Sequence, residues 1–122
     1  MQDIITRVLK LSSSVRYIAI YRHGKLASAS RADLSNASSG ESDKYEELLV
    51  NPTLLTLVRQ RGNIDCGGLE YVLIRYGNFF EYVAWVEGGH ISVGLELTAD
   101  PLTLVPRITE AVASLGSGQS AV

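Results

Sequence analysis

The chain has 122 residues, enough for one domain with a buried core, and its single cysteine, Cys66, excludes an internal disulfide and favours a reducing compartment. A formal net charge of -2 with 20% charged residues does not favour nucleic acid as a partner. No signal-peptide pattern is visible and no apolar run approaches the ~20 residues of a membrane span, so a soluble, cytoplasmic protein without membrane insertion is expected.

The first third of the chain predicts a helix, a hairpin and a loop. Apolar residues at helical spacing predict a short amphipathic helix over 2–11. Residues 15–22 have strand composition, and His23 with Gly24 forms a two-residue turn. Residues 25–31 predict a weaker edge strand rich in alanine and serine. The polar segment 32–43 predicts a connecting loop.

The leucine-rich segment that follows predicts a second helix in two parts. Residues 43–46 match a capping box that opens a helix through residue 50. Asn51 with Pro52 predicts a new N-cap and a kink, and Gly62 predicts the end. Leucines at 48, 49, 54, 55 and 57 cover more than one stripe of this helix. We therefore expect it to pack on the sheet and on a partner.

The most regular stretch, residues 67–100, predicts a three-stranded antiparallel meander. The strands cover 69–76, 79–87 and 90–97, with turns at 77–78 and 88–89. This register places Tyr76 opposite Phe79 and Glu87 opposite His90. One face is apolar and carries Leu69, Tyr71, Leu73, Tyr82, Ala84, Val86, Ile91, Val93, Leu95 and Leu97. The opposite face, called the mixed face here, carries Glu70, Val72, Ile74, Glu81, Val83, Trp85, Ser92 and Glu96. We expect function on the mixed face.

The C-terminal segment predicts a last helix. Asp100 with Pro101 matches a helix cap, and an apolar stripe continues to Leu115. Pro106 is tolerated if the regular helix starts at Thr103. We expect one domain over 1–116 and a flexible tail over 117–122.

Two segments and the order of elements resemble a known family. Residues 15–28, VRYIAIYRHGKLAS, have a hydrophobic strand, a glycine turn and a small-residue return strand. Residues 91–102, ISVGLELTADPL, have a strand that runs into a helix. Over residues 2–115 the chain resembles the roadblock/LC7 family, within the profilin-like and longin-like group of folds.

The resemblance implies an α+β fold of order α-β-β-α-β-β-β-α with a five-stranded antiparallel sheet. The first and third helices would cover one face and the second helix the other. It also implies a homodimer, made through the second helix and the strand from Leu69, that serves as an adaptor for a small Ras-like GTPase or a signalling complex. It brings no catalytic residue, cofactor or metal. The expected interface residues are Leu48, Leu55, Val58, Arg59, Glu70, Val72, Ile74 and Trp85.

Two groups of residues could take part in catalysis or metal binding. Glu81 and Glu96 are predicted to lie side by side. They could act as an acid–base pair or bind a cation, but we favour a surface that faces solvent or a partner. Their repulsion predicts a nearby basic group, such as Arg59 or Arg61. Cys66, His23 and His90 could form a thiol or metal site. Because these residues lack the spacing of metal ligands, we favour the interpretation that the two histidines are exposed in turns and the cysteine is buried.

Two further functions compete with the adaptor. A small-molecule sensor of profilin-like or PAS-like architecture needs a cavity, and the bulk of Tyr71, Tyr82 and Leu95 argues against one. An enzyme that uses Glu81 and Glu96 ranks last. Trp85 fits either internal packing beneath the second helix or a recognition surface.

Overall fold

The computed structural model describes residues 1–32 and 34–116, over which helices and strands follow the predicted order. The expected tail over 117–122 lies outside the described residues. The elements are α1 (Gln2–Leu9), β1 (Val15–Arg22), β2 (Lys25–Ser30), α2 (Gly40–Tyr45), a π-helical turn (Glu46–Val50), α3 (Asn51–Asp65), β3 (Val72–Arg75), β4 (Phe80–Val86), β5 (Gly89–Leu95), α4 (Pro101–Ala111) and a short 3₁₀ turn (Ala113–Leu115).

The five strands form one antiparallel sheet in the order β2-β1-β5-β4-β3. The α+β fold with a five-stranded antiparallel sheet is thus confirmed. β2 lies at one edge, as its alanine and serine content predicted, and β3 lies at the other. No helix within the described part of the chain has both the length and the apolar character needed to cross a membrane.

One face of the sheet forms the main hydrophobic core with α1 and α4. The helices contribute Ile4, Ile5, Val8, Leu104, Val105 and Ile108, and the strands contribute Ile18, Ile20, Tyr82, Ala84, Ile91, Val93 and Leu95. Alternation along each strand explains this set, because residues two apart lie on the same face. Pro106 lies inside α4, which begins at Pro101 rather than at Thr103.

A long helix, made of α2, the π turn and α3, covers the mixed face. It begins at Gly40, where the Ser39 side chain accepts a hydrogen bond from the Ser42 amide, so the predicted start at 43 is wrong. Asn51 is not a cap either. It has helical backbone angles, and its N–H donates to Glu46 O, five residues back. This wider turn accommodates Pro52, which has no N–H to donate.

The register between β4 and β5 differs from the prediction by two residues. Trp85 lies opposite His90, and Glu81 lies opposite Gly94 instead of Glu96. Gly88 has the positive φ of the turn, but Gly89 belongs to β5. A Cβ at position 89 would lie 1.7 Å from Tyr21 O on β1. Gly89 is therefore needed because β1 and β5 approach closely at this position. The turn lies at 87–88, one residue before the predicted position.

Candidate functional site

The side chain of Glu47 is the centre of a buried polar cluster between the long helix and the sheet. Its Oε1 lies 2.8 Å from His90 Nε2 and accepts a hydrogen bond from Asn51 Nδ2 at 3.2 Å. Its Oε2 accepts from Ser92 Oγ at 2.5 Å and from the Tyr17 hydroxyl at 3.5 Å. A carboxylate oxygen accepts hydrogen bonds, so the donors of Asn51, Ser92 and Tyr17 suit Glu47, and His90 adds a fourth donor when its Nε2 carries the proton.

Two further glutamates complete the cluster. Glu46 Oε2 accepts a hydrogen bond from the Tyr76 hydroxyl at 2.7 Å. Glu81 extends from β4, is only 1% exposed, and lies close to Glu46 and Glu47. One oxygen of each of these three glutamates lies within 4.8 Å of the other two. The mixed face is therefore an enclosed layer of carboxylates and their donors, not an open sheet surface.

Burial and mutual repulsion change the acidity of this cluster. Burial, the adjacent Glu46 and the charge of Glu47 raise the pKa of Glu81 far above its usual range. Burial and the charge of Glu47 raise the pKa of Tyr17, and burial with the Glu46 hydrogen bond raises that of Tyr76. The tyrosines thus act as neutral hydrogen-bond donors, and negative charge on Glu81 is disfavoured.

The π turn explains how two consecutive residues, Glu46 and Glu47, both join the cluster. After the turn, Asn51 and Leu55 continue the inward face at intervals of four residues, and both are completely buried. At the far end Gly62 is buried against the backbone of Gly68, whose N–H donates to Gly62 O. This contact holds the end of α3 beside the start of β3.

Glu96 and the arginines do not form the predicted arrangement. Glu96 pairs with Arg16, at 2.6 Å between Oε1 and NH1, and does not lie beside Glu81. Arg59 lies over the Trp85 ring at 5.4 Å, and Arg61 pairs with Asp65 at 2.7 Å. The two-residue register shift is the reason, because it places Gly94 opposite Glu81.

The histidine and cysteine predictions are only partly right. His23 is exposed in its turn, with a φ of 51°. His90 was expected to be exposed, but it is buried in β5, where it faces the long helix and contacts Glu47. Cys66 was expected to be buried, but it is exposed at the end of α3 beside Arg61.

The eight predicted interface residues do not share one surface. Leu55 is fully buried against the sheet, so it is an internal contact, and its assignment to a surface interface is wrong. Leu48 and Glu70 are exposed, whereas Val58, Arg59, Val72, Ile74 and Trp85 are half-buried. Trp85 lies opposite His90 beneath the long helix and not opposite Ser92.

The solvent side of the long helix carries an apolar set that includes three of the leucines, 48, 49 and 57, for which the sequence predicted packing on the sheet or on a partner. This outer face consists of Tyr45, Leu48, Leu49, Leu57 and Ile64. Leu57 is 61% exposed and Ile64 74% exposed. Of these residues only Leu48 was predicted at an interface. Large apolar side chains concentrated on one helix mark a surface that associates with another molecule.

A groove of about 670 Å³ lies between α4 and the β3–β4 side of the sheet. Its apolar lining includes Tyr71, Tyr82 and Val105, and the carboxylates of Glu70 and Glu110 also contribute. The two tyrosine rings lie 5.6 Å apart. These side chains border open space, in contrast to the expectation that their bulk would fill it.

No model of a known protein family matches the chain, and no curated protein matches it either. The fold and the site define an α+β domain with an enclosed carboxylate cluster beneath one helix and an apolar surface on that helix.

The sequence analysis missed Glu46, Glu47, Asn51 and the inward position of His90. Strand parity contained one usable signal, because His90 and Ser92 must share a face. The helical residues had a weaker signal, because Glu47, Asn51 and Leu55 are spaced by fours, but a regular helix would also place Leu48 on the face of Leu55.

Proposed function

We propose that this chain is a non-catalytic homodimeric adaptor of the roadblock/LC7 type that docks or regulates a small Ras-like GTPase or a signalling complex. The outer face of the long helix is the observation that carries the proposal. Leu57 and Ile64 contact water over most of their surface in the single chain. Burying such side chains against a second copy contributes about 1.5–3 kcal/mol each.

The β3 edge of the sheet also supports association with a second copy. β3 pairs with β4 on one side, and its other side has no strand partner among the described residues. Val72, Leu73 and Ile74 give this edge an apolar composition without a proline or lysine to block pairing. Exposed edges of this kind associate unless they are covered. A second copy, paired through β3, would extend the sheet and cover the edge.

The elements that carry the two surfaces contact each other. Gly62 and Gly68 hold the end of α3 against the chain that enters β3. The outer face and the β3 edge thus belong to neighbouring elements. A two-fold axis can then bury both patches at once, because an isologous interface uses the same surface of each subunit.

The enclosed glutamate cluster supports a non-catalytic role. Both oxygens of Glu47 are engaged by side chains of the protein, and Glu47 has no exposed surface. A general acid or base must reach a substrate directly or through one water. The choice of a Ras-like GTPase as partner follows from the family resemblance. The dimer would present its remaining surface to that partner.

Light scattering coupled to size-exclusion chromatography tests the dimer. At tens of micromolar, the account predicts a mass twice that of one chain. A mass of one chain at that concentration would reject the homodimeric platform.

The second candidate function is a small-molecule sensor, and the groove of about 670 Å³ is the observation that favours it. This volume falls within the ~300–1,000 Å³ of typical ligand pockets. An apolar ligand that binds there should raise the melting temperature of the chain. Ala113→Trp would fill the groove and abolish that shift, whereas the exposed Ala32→Trp would not. A screen of apolar metabolites without any Ala113-dependent shift would remove this candidate.

A further inference from the structure

Three carboxylates meet at the π turn in a largely buried environment. Glu46 and Glu47 come from the turn and Glu81 comes from β4, with one oxygen of each within 4.8 Å of the others. Glu47 and Glu81 are buried and Glu46 is half-buried. Negative charges this close repel one another strongly in a low-dielectric environment. Either a proton or a cation must offset this repulsion.

The carboxylate of Glu81 provides a second observation. Its Oε2 is buried and accepts no hydrogen bond from the described residues. Glu47 is different, because protein donors reach both of its oxygens. A buried carboxylate oxygen without a donor is costly. The neighbouring groups of the cluster, Glu46 and Glu47, contribute carboxylate oxygens, and one oxygen of Glu81 lies within 4.8 Å of an oxygen of each.

A small cavity of about 40 Å³ adjoins the cluster. Glu46, Glu81, Tyr17 and Asp43 line it, and the volume is sufficient for one ion or water molecule. Asp43 is half-buried. The cavity is therefore bordered by three acidic residues, Asp43, Glu46 and Glu81.

Arg16 also lines this cavity, but its guanidinium is already engaged. NH1 donates to Glu96 at 2.6 Å, and NH2 donates to Ser35 O at 2.9 Å and to Asn36 O at 3.4 Å. No hydrogen bond joins Arg16 to the three glutamates among the described residues. Its charge is directed towards Glu96, and among the described residues no lysine or arginine forms a salt bridge with the three glutamates.

We propose that Glu46, Glu47 and Glu81 form a binding site for one hard divalent cation of the Ca²⁺ or Mg²⁺ class. All the ligands are oxygens, as these cations require. Two oxygens bound to one Ca²⁺ at about 2.4 Å are at most about 4.8 Å apart, and the oxygens of the three carboxylates lie within that limit. Mg²⁺ needs bonds of about 2.1 Å and a stricter octahedron, so Ca²⁺ is expected to bind more tightly.

The donors around Glu47 support this site because they fix its carboxylate. His90 and Asn51 hold Oε1, while Ser92 and Tyr17, the latter also a lining residue of the cavity, hold Oε2. Hydrogen bonds that orient a ligating carboxylate are a regular part of cation sites in proteins. His90 is a donor to Glu47 in this arrangement and is not a ligand.

Isothermal titration calorimetry on the full chain tests the site, after treatment with EDTA and removal of the chelator. With CaCl₂ we expect one saturable site per chain, and with MgCl₂ a weaker one. Glu81→Gln keeps the size of the side chain and should weaken Ca²⁺ binding at least about tenfold. Glu110→Gln, an exposed substitution on α4, should bind like the wild type.

Thermal melting provides the second measurement. Ca²⁺ should raise the melting temperature of the wild type and of Glu110→Gln, but not that of Glu81→Gln. If Glu81→Gln does not fold, the half-buried Glu46→Gln replaces it with the same expected loss. Absence of Ca²⁺ and Mg²⁺ binding at several millimolar would overturn the proposal. So would equal Ca²⁺ affinity in the wild type and in the folded glutamine variant.

Discussion

Replacing Leu57 by glutamate is expected to convert the proposed dimer into a folded monomer. Leu57 is 61% exposed on the outer face of the long helix, so the substitution creates no cavity or buried charge within one chain. In the dimer the same carboxylate would lie in an apolar interface, where desolvation and its symmetry mate both oppose association. Light scattering should show half the wild-type mass at equal concentration, and far-ultraviolet circular dichroism should be unchanged.

Leu102→Glu is the matched control for this experiment. Leu102 is 75% exposed on α4, which packs on the face of the sheet opposite the long helix. This variant should keep the mass of the wild type, because it carries the same new charge at a different surface. A Leu57→Glu protein that remains dimeric, or a Leu102→Glu protein that dissociates, would place the interface elsewhere.

Replacing Glu47 by alanine lowers the free energy of unfolding by about 3–5 kcal/mol, as expected when one partner of a buried polar network is removed. The substitution leaves the donors of His90, Ser92 and Asn51 buried without their acceptor. It also opens a cavity beneath the π turn. Urea unfolding in EDTA measures the loss without any contribution from a bound cation.

The control for Glu47 lies on the same helix. Glu41→Ala removes an exposed carboxylate near the start of α2 and should change the free energy of unfolding by less than about 0.5 kcal/mol. If Glu47→Ala lowered the free energy of unfolding no more than Glu41→Ala does, the hydrogen bonds of Glu47 would contribute nothing to the stability of the fold.

The sheet was predictable because the local signals were unambiguous. Alternation separated the two faces correctly, and the turn at 77–78 gave the observed register between β3 and β4. The predicted position of the second turn was wrong because the segment contains two adjacent glycines with different functions. Gly88 supplies the positive φ of the turn, whereas Gly89 makes room for Tyr21 O. The contact with β1 that distinguishes them is not visible in the local sequence.

The sequence predicted the position of the long helix in the chain, but not which of its residues face the sheet. Leu48 and Leu55 are seven residues apart and would share a face of a regular α-helix. The π turn inserts about one extra residue, so Leu48 is 45% exposed whereas Leu55 is fully buried. Glu47 lies eight residues before Leu55 and faces inward with it. A Leu55→Glu variant would therefore bury a charge within the chain and unfold it, and only Leu57 tests the interface.

The central claim is that a second copy covers the β3 edge. The Tyr76 amide donates to Phe79 O, and amide directions alternate along a strand, so the amides of Leu73 and Arg75 point away from β4. Hydrogen exchange of these two amides, followed by NMR, tests the claim most directly. The account predicts slow exchange in the concentrated wild type and fast exchange in Leu57→Glu. Equally fast exchange in both proteins would contradict it.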